Sequence, residues 1–331
     1  MKRVILSSLL SGALALSGCG GGSGDSTSSP SVVVPDENET TEYPDEVEGS
    51  AESARGVALL NKIRSEVGLP TLKTNIRLEK AGNSHANYVR DVLATHNVSV
   101  NHYEYEEEYP SSYFTGIYAY DRAIHEGYEA NSYVGEAMTY ASTNVEASID
   151  ELMSAIYHRH GLLFNFIDEI GIGISSTESG NHAYTYELAS YSERMIELIT
   201  QSPTIVVYPP QGSTEIRRVF YEEYPDPLPD TSMSGYPISV EFNAYYTETI
   251  EVSYFRLYDE NGDEVTDTTL MNQETDPNGY FTYNQFALFP MEVLEGSHTY
   301  SVEVGYVLNG ESDTKVWSFT TRERLDERAS Y

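Results

Sequence analysis

The chain predicts an α+β fold in two parts: a three-layer α-β-α sandwich over residues 53–200, then an all-β sandwich over residues 201–323. Three observations carry this. Apolar residues recur at spacings of three and four in the first part, interleaved with strand-length apolar runs. Helical patterning disappears after Thr204. Beyond it, short runs rich in Val, Ile, Tyr, Phe and Thr alternate with turn clusters, among them Asn261-Gly262 and Asn309-Gly310. A length of 331 residues is ample for two cores.

Taken in order, the elements begin with a targeting segment. Met1-Lys2-Arg3 is a basic n-region, and residues 4–16 form an apolar run too short to span a bilayer, so residues 1–18 read as a signal peptide. Leu16-Ser17-Gly18-Cys19 looks like a bacterial lipobox, with cleavage before Cys19, the sole cysteine of the chain. Acylation there would anchor the protein to a membrane by more than one buried chain. The expected location is extracytoplasmic and lipid-anchored, and Gly20 rather than Asp after Cys19 favours the outer membrane of a Gram-negative cell. With one cysteine no internal disulfide can form, so stability must come from burial. Residues 19–52 are Gly, Ser, Thr, Pro, Glu and Asp with few large apolar residues, a composition that cannot offset its ordering entropy. They read as a flexible tether, reaching roughly 30 Å as a coil.

A first helix starts near Ser53, with Val57, Leu60, Ile63, Arg64 and Val67 on one stripe; Gly68 ends it and Pro70 prevents its return. Residues 76–92 form a second, with Leu78, Ala81, His85, Tyr88 and Val92 inward. Residues 144–158 form a third, with Val145, Ile149, Leu152 and Ile156 on one face. Residues 170–175 and 183–188 are strands of the intervening sheet. A polar joint near Gln201 is a predicted cleavage site between the two parts. In the second part, residues 238–242 and 300–304 alternate strictly, and Asn261-Gly262 and Asn309-Gly310 predict hairpins. Residues 324–331 form a tail.

Charge excludes one class of partner. Nineteen basic against 52 acidic residues give a net −33, which repels nucleic acid and anionic headgroups. A surface adapted for solubility and a surface that collects divalent cations both fit this balance. A serine or cysteine nucleophile has no support, since the chain has no Gly-x-Ser-x-Gly elbow. Asp259 to Glu264 lacks the spacing of an EF-hand loop and reads as a hairpin.

Residues 55–190 resemble the CAP superfamily (cysteine-rich secretory proteins, antigen 5 and pathogenesis-related 1) in its bacterial SCP-like branch. The matching fragments are Leu59-Leu60-Asn61-Lys62-Ile63-Arg64 with Gly68-Leu69-Pro70-Thr71-Leu72, then His85-Ala86-Asn87-Tyr88, then Asn101-His102-Tyr103-Glu104. Phe114-Thr115-Gly116, Arg122-Ala123 and Gly127-Tyr128 lead to the Gly135-Glu136 pair. His158-Arg159 with Leu162-Leu163 is similar to the family's "HR..IL" element, and Ile170-Gly171-Ile172-Gly173 to its following strand. The chain departs from the pattern where the usual Trp is Leu152 and the usual Ser-Pro-Gly reads Ala155-Ile156-Tyr157. The second acidic residue of eukaryotic relatives has no clear counterpart, although Glu151 lies near. Residues 220–227, 235–238 and 317–321 resemble the immunoglobulin-like domain that follows some bacterial CAP domains.

The resemblance implies that His102, Glu136 and His158 converge on a cleft, with Glu104 as a further acidic member. Two imidazoles and a carboxylate would suit Zn²⁺ or another divalent cation, with an open position for water. A purely structural hydrogen-bonded cluster is the alternative. His85 reads as a core histidine and His160 as an exposed residue at a helix C-terminus. The family is associated with lipid or sterol binding, with glycan or cell-wall interaction, and in a few members with proteolysis. Three functional readings follow: a ligand-binding or envelope-interaction module; a metal-dependent hydrolase with Glu136 as general base on a bound water; or a structural, adhesive lipoprotein with a vestigial cleft.

Overall fold

The computed structural model describes residues 50–99, 101–176 and 182–325. The predicted signal peptide, Cys19 and nearly all of the predicted tether lie outside the described residues, as does the predicted tail from residue 326. Among the described residues no helix is long and apolar enough to cross a membrane.

The first part is a three-layer α-β-α sandwich. Its helices are α1 (Ala51–Glu66), α2 (Ile76–His96), α3 (Ala119–His125), α4 (Val145–Ser154), α5 (Ile156–Leu162) and α6 (Ser192–Gln201). Its strands are β1 (Lys73–Thr74), β2 (Ser132–Ser142), β3 (Glu169–Ser176) and β4 (His182–Tyr191), in the order β1-β3-β4-β2. β1 runs parallel to β3, and the other pairs are antiparallel. The Ser50 side chain caps α1 and the Asn75 side chain caps α2, and Gly68 ends α1 at a φ of +80°, as its place in the sequence suggests.

The two faces of the sheet are made differently. Ile170 and Ile172 of β3, with Tyr184, Tyr186 and Leu188 of β4, join Val57, Leu60, Ile149 and Leu152 in the core beneath α1 and α4. On the opposite face Gly171 and Gly173 let the backbone of α2 approach closely. A Cβ on Gly171 would overlap the Glu79 nitrogen, and one on Gly173 the carbonyl carbon of Gly82. The period-2 alternation of strand side chains therefore puts bulk on one face and a slot for α2 on the other.

The third predicted helix is two. Residues 144–158 break at Ala155, whose ψ of 115° is extended rather than helical. The break follows from the partners of one carbonyl. The Met153 carbonyl accepts from Arg159 Nε (2.7 Å) and the Tyr236 hydroxyl (2.8 Å) instead of a helix amide. This turn aims α5 into the second part of the molecule.

The second part is all β. One sheet has the order β10-β13-β14-β6, from β6 (Ser213–Ile216), β10 (Ile250–Tyr258), β13 (Thr299–Leu308) and β14 (Glu311–Thr321). The other has the order β11-β12-β9-β5, from β5 (Ile205–Tyr208), β9 (Ile238–Phe242), β11 (Thr268–Met271) and β12 (Gln285–Pro290). A two-stranded pair, β7 (Val219–Phe220) and β8 (Ser234–Gly235), lies beside them. Val240 and Phe242 of one sheet and Leu257, Val302, Trp317 and Phe319 of the other share one core. Asn309 and Gly310 both have positive φ, the two-residue turn that matches strand twist, and they join β13 to β14.

The joint at Gln201 is not the flexible linker that composition predicts. α6 runs to Gln201, Ser202 is buried, and β5 starts three residues later. Asn243 Nδ2 donates to the Ile199 carbonyl at 2.8 Å, and the Asn243 amide donates to the Thr204 carbonyl at 2.8 Å. Both sides of the chain are thus tied to one asparagine. The contact between the parts is itself buried. Ile156 and Tyr157 pack with Phe220, Leu228, Phe281 and Phe289, while the fully buried Arg159 donates to the Pro237 carbonyl at 2.8 Å. Its guanidinium also lies over the rings of Tyr208 and Tyr236, at 4.8 and 4.9 Å. His160, expected to be exposed, is buried here instead. Its Nδ1 lies 3.1 Å from Glu241 Oε2 and its ring meets Phe281 edge-on.

Candidate functional site

His102 lies on the loop from α2 to α3, Glu136 points from β2 toward the α2 side of the sheet, and His158 is the third residue of α5. All three line one cleft of about 110 Å³. The imidazoles stand 6.1 Å apart between ring centroids, at 35°. The far wall belongs to the β-part, through Tyr224, Pro225 and Tyr280.

Each imidazole is held from behind by a carboxylate. His102 Nδ1 lies 2.8 Å from Glu136 Oε1, and His158 Nδ1 lies 2.9 Å from Glu223 Oε2. A carboxylate can only accept, so in a neutral ring Nδ1 carries the proton and Nε2 keeps its lone pair. Glu223 also takes the peptide N–H groups of Tyr157 (3.2 Å) and His158 (3.5 Å), fixing the start of α5. Nothing in the local sequence around Glu223 marks it for this role. It comes from the loop between β7 and β8, 65 residues from its partner.

Beneath the cleft lies a buried charge network built around Arg122. Its Nη2 donates to Glu136 Oε2 at 2.6 Å, and its Nη1 donates to the carbonyls of His102 and Ile117 at 3.1 and 3.2 Å. Glu187 sits across from Glu136 in the β2–β4 register, 3.7 Å from the same guanidinium. Burial alone would raise Glu136, but Arg122, His85 and His102 reverse this and hold it below the usual carboxylate range. Burial, with the Glu136 charge alongside, pushes Glu187 well above that range and favours its neutral form.

Two expectations need correcting. Glu104 is not a cleft residue: it is fully buried, its Oε1 lies 3.0 Å from His85 Nδ1, and its Oε2 accepts the Thr115 amide at 2.9 Å. His85 Nε2 in turn faces the Asn101 carbonyl at 3.1 Å. Burial and then Arg122 push the His85 ring down from its ordinary value. The general-base expectation for Glu136 weakens in turn: Arg122 and His102 each hydrogen-bond one of its oxygens, and a carboxylate held below its usual range is a poor base. Glu151 lies apart from the site, on the α4 side, where it accepts from Ser142 at 3.2 Å.

Among the described residues no group of three or more His, Cys, Asp or Glu side chains is arranged to hold a metal ion. The available donor set is therefore the two Nε2 atoms. Two imidazoles sharing one ion at about 2.0–2.1 Å place their ring centroids about 5–6 Å apart. The observed 6.1 Å lies at the upper edge of that range, so the two rings are near enough to share an ion.

Residues 57–188 match the model of the cysteine-rich secretory protein family, CAP. No curated protein matches the chain. Among solved structures it is similar to an outer surface protein from Borrelia burgdorferi, at 13% identity and a TM-score of 0.35, covering 45% of this chain and 98% of that one. It is also similar to an extracellular protein containing an SCP domain from Bacillus anthracis strain Ames, at 20% identity and a TM-score of 0.32, covering 41% and 39%. A third is venom allergen-like protein 4 from Schistosoma mansoni, at 14% identity and a TM-score of 0.30, covering 43% and 90%.

Proposed function

Because residues 57–188 belong to the CAP family, we propose that this chain is an extracytoplasmic CAP-domain binding module, anchored through Cys19, that holds a divalent transition-metal ion such as Zn²⁺ between His102 and His158. The observation that carries the reading is the pair of imidazoles facing one cleft, each with Nδ1 committed to a carboxylate. A carboxylate–imidazole–metal chain is the usual way to fix ring orientation and raise ligand basicity. The ion would polarise whatever small group completes its coordination.

Cleft size separates this from lipid capture at the same place. Pockets for drug-sized ligands measure about 300–1,000 Å³, well above the 110 Å³ found here. The cleft admits an ion with its waters, or the tip of a glycan or cell-wall ligand, but not a buried sterol. The hydrolase reading is the weaker one, since Arg122 and His102 hydrogen-bond Glu136 and its depressed pKa makes it a poor base. The β-part, which we read as immunoglobulin-like from its two facing sheets, forms one wall.

The test is Zn²⁺ titration by calorimetry at high ionic strength, which screens weak binding by the acidic surface. The double change His102→Ala with His158→Ala is expected to abolish the tight site, and each single change to weaken it. Tight binding unchanged in the double variant would place the ion elsewhere. For the anchor, Cys19→Ser is expected to release the protein from the membrane fraction or leave the precursor unprocessed. A processed Cys19→Ser protein that stays with membranes refutes lipid anchoring.

A further inference from the structure

His158 belongs to the CAP part, but the carboxylate behind it does not. Glu223 reaches it from the loop between β7 and β8, and its side chain is 1% exposed. The loop is fixed around it. The Tyr157 hydroxyl donates to Asp276 and accepts from Asn278 Nδ2 at 3.1 Å, and Asn278 Nδ2 also donates to the Asp226 carbonyl at 2.7 Å. The ring of Tyr280 packs against Tyr157 at 5.1 Å. These contacts seat the residue before His158 against the β-part and leave Glu223 Oε2 beside His158 Nδ1. The partners of the Glu223 carboxylate are all donors: the two peptide N–H groups and the ring.

We propose that Glu223 is a positioning residue for the cleft, supplied by the β-part, which keeps His158 in the tautomer with Nε2 open to a ligand. His102 obtains the same arrangement from Glu136 within its own sheet. The two histidines are thus a matched pair drawn from two different supports, and the CAP fold alone supplies only one of them. The β-part completes the site. In its metal-binding consequence this rests on the reading above; the tautomer assignment does not.

The experiment uses the full chain and two readouts. In ¹⁵N–¹H correlation spectra of imidazole nitrogens, His158 (identified by the loss of its signals in His158→Ala) is expected to show protonated Nδ1 and unprotonated Nε2 in the metal-free wild type. Glu223→Gln keeps the shape and a peptide acceptor but offers an amide that can donate to Nδ1, and is expected to shift His158 toward the Nε2–H tautomer. Zn²⁺ affinity should then fall about 10–100-fold, as for other groups that orient metal ligands from behind. A wild-type His158 already protonated at Nε2 overturns the proposal, and this needs no variant to fold. A folded Glu223→Gln protein with unchanged tautomer and unchanged Zn²⁺ affinity overturns it equally. Absence of tight Zn²⁺ binding in the wild type would refute only the metal reading, because the tautomer spectra still decide the role of Glu223.

Discussion

Replacing Arg122 with leucine is expected to cost about 3–5 kcal/mol of folding free energy, the usual result of removing one partner from a buried ion pair. The guanidinium is fully buried and satisfies two carbonyls as well as Glu136. Its loss leaves an anion in a site where burial alone favours the neutral acid. The pH dependence gives a second check. A carboxylate with a depressed folded pKa contributes stability above its unfolded value, about 4.3, and that share is lost as pH falls through the folded value. The gap between wild type and Arg122→Leu should therefore narrow on acidification. Glu187 runs the other way: its raised pKa gives a share that is full below the unfolded value and lost as pH rises through the folded one. Urea denaturation across pH reads both effects. A loss under about 1 kcal/mol, or a gap that ignores pH, would mean that the network is solvated and not the buried assembly described.

Alanine at Gly171 or Gly173 is expected to destabilise by about 3 kcal/mol or more, at the upper end of overpacking costs. The new Cβ would strike the backbone of α2 and not the tip of a side chain, so a rotamer change cannot relieve it. Moving α2 would also disturb His85 and, through it, Glu104. Gly161→Ala is the matched control. It lies within α5, where an added Cβ would meet nothing inside 4 Å, and alanine there should stabilise by up to about 1 kcal/mol. Thermal or urea unfolding of the three variants separates the cases. Equal stability for Gly171→Ala and Gly161→Ala would refute the close approach of α2.

Much of the fold was legible because its signals are local. The stripe from Val57 to Val67, the stop at Gly68 and the Asn309-Gly310 turn each act within a few residues. What local patterning missed depends on distant partners. The break at Ala155 has no Pro or Gly to announce it and follows from Tyr236, 83 residues from the carbonyl it binds. β2 passed unseen because one of its inward residues is Glu136, whose charge hides the strand's alternation until Arg122 is placed beside it. The site divides the same way. His102, Glu136 and His158 sit in recognisable local frames and share the cleft, whereas Arg122, Glu187 and Glu223 gain their roles only through tertiary contact. Glu104 divides the same way: the resemblance puts it in the cleft, but its side chain turns inward to His85, a partner 19 residues away.

The shared wall of the cleft also couples two equilibria. The docked arrangement of the two parts and the occupied state of the cleft use the same residues, Tyr157, His158, Glu223 and Tyr280. Linkage makes such coupling reciprocal. A ligand that binds the docked form more tightly by some factor must tighten docking by that same factor. Were the chain anchored through Cys19 as proposed, a load on its β-part would register as a change in affinity at the cleft.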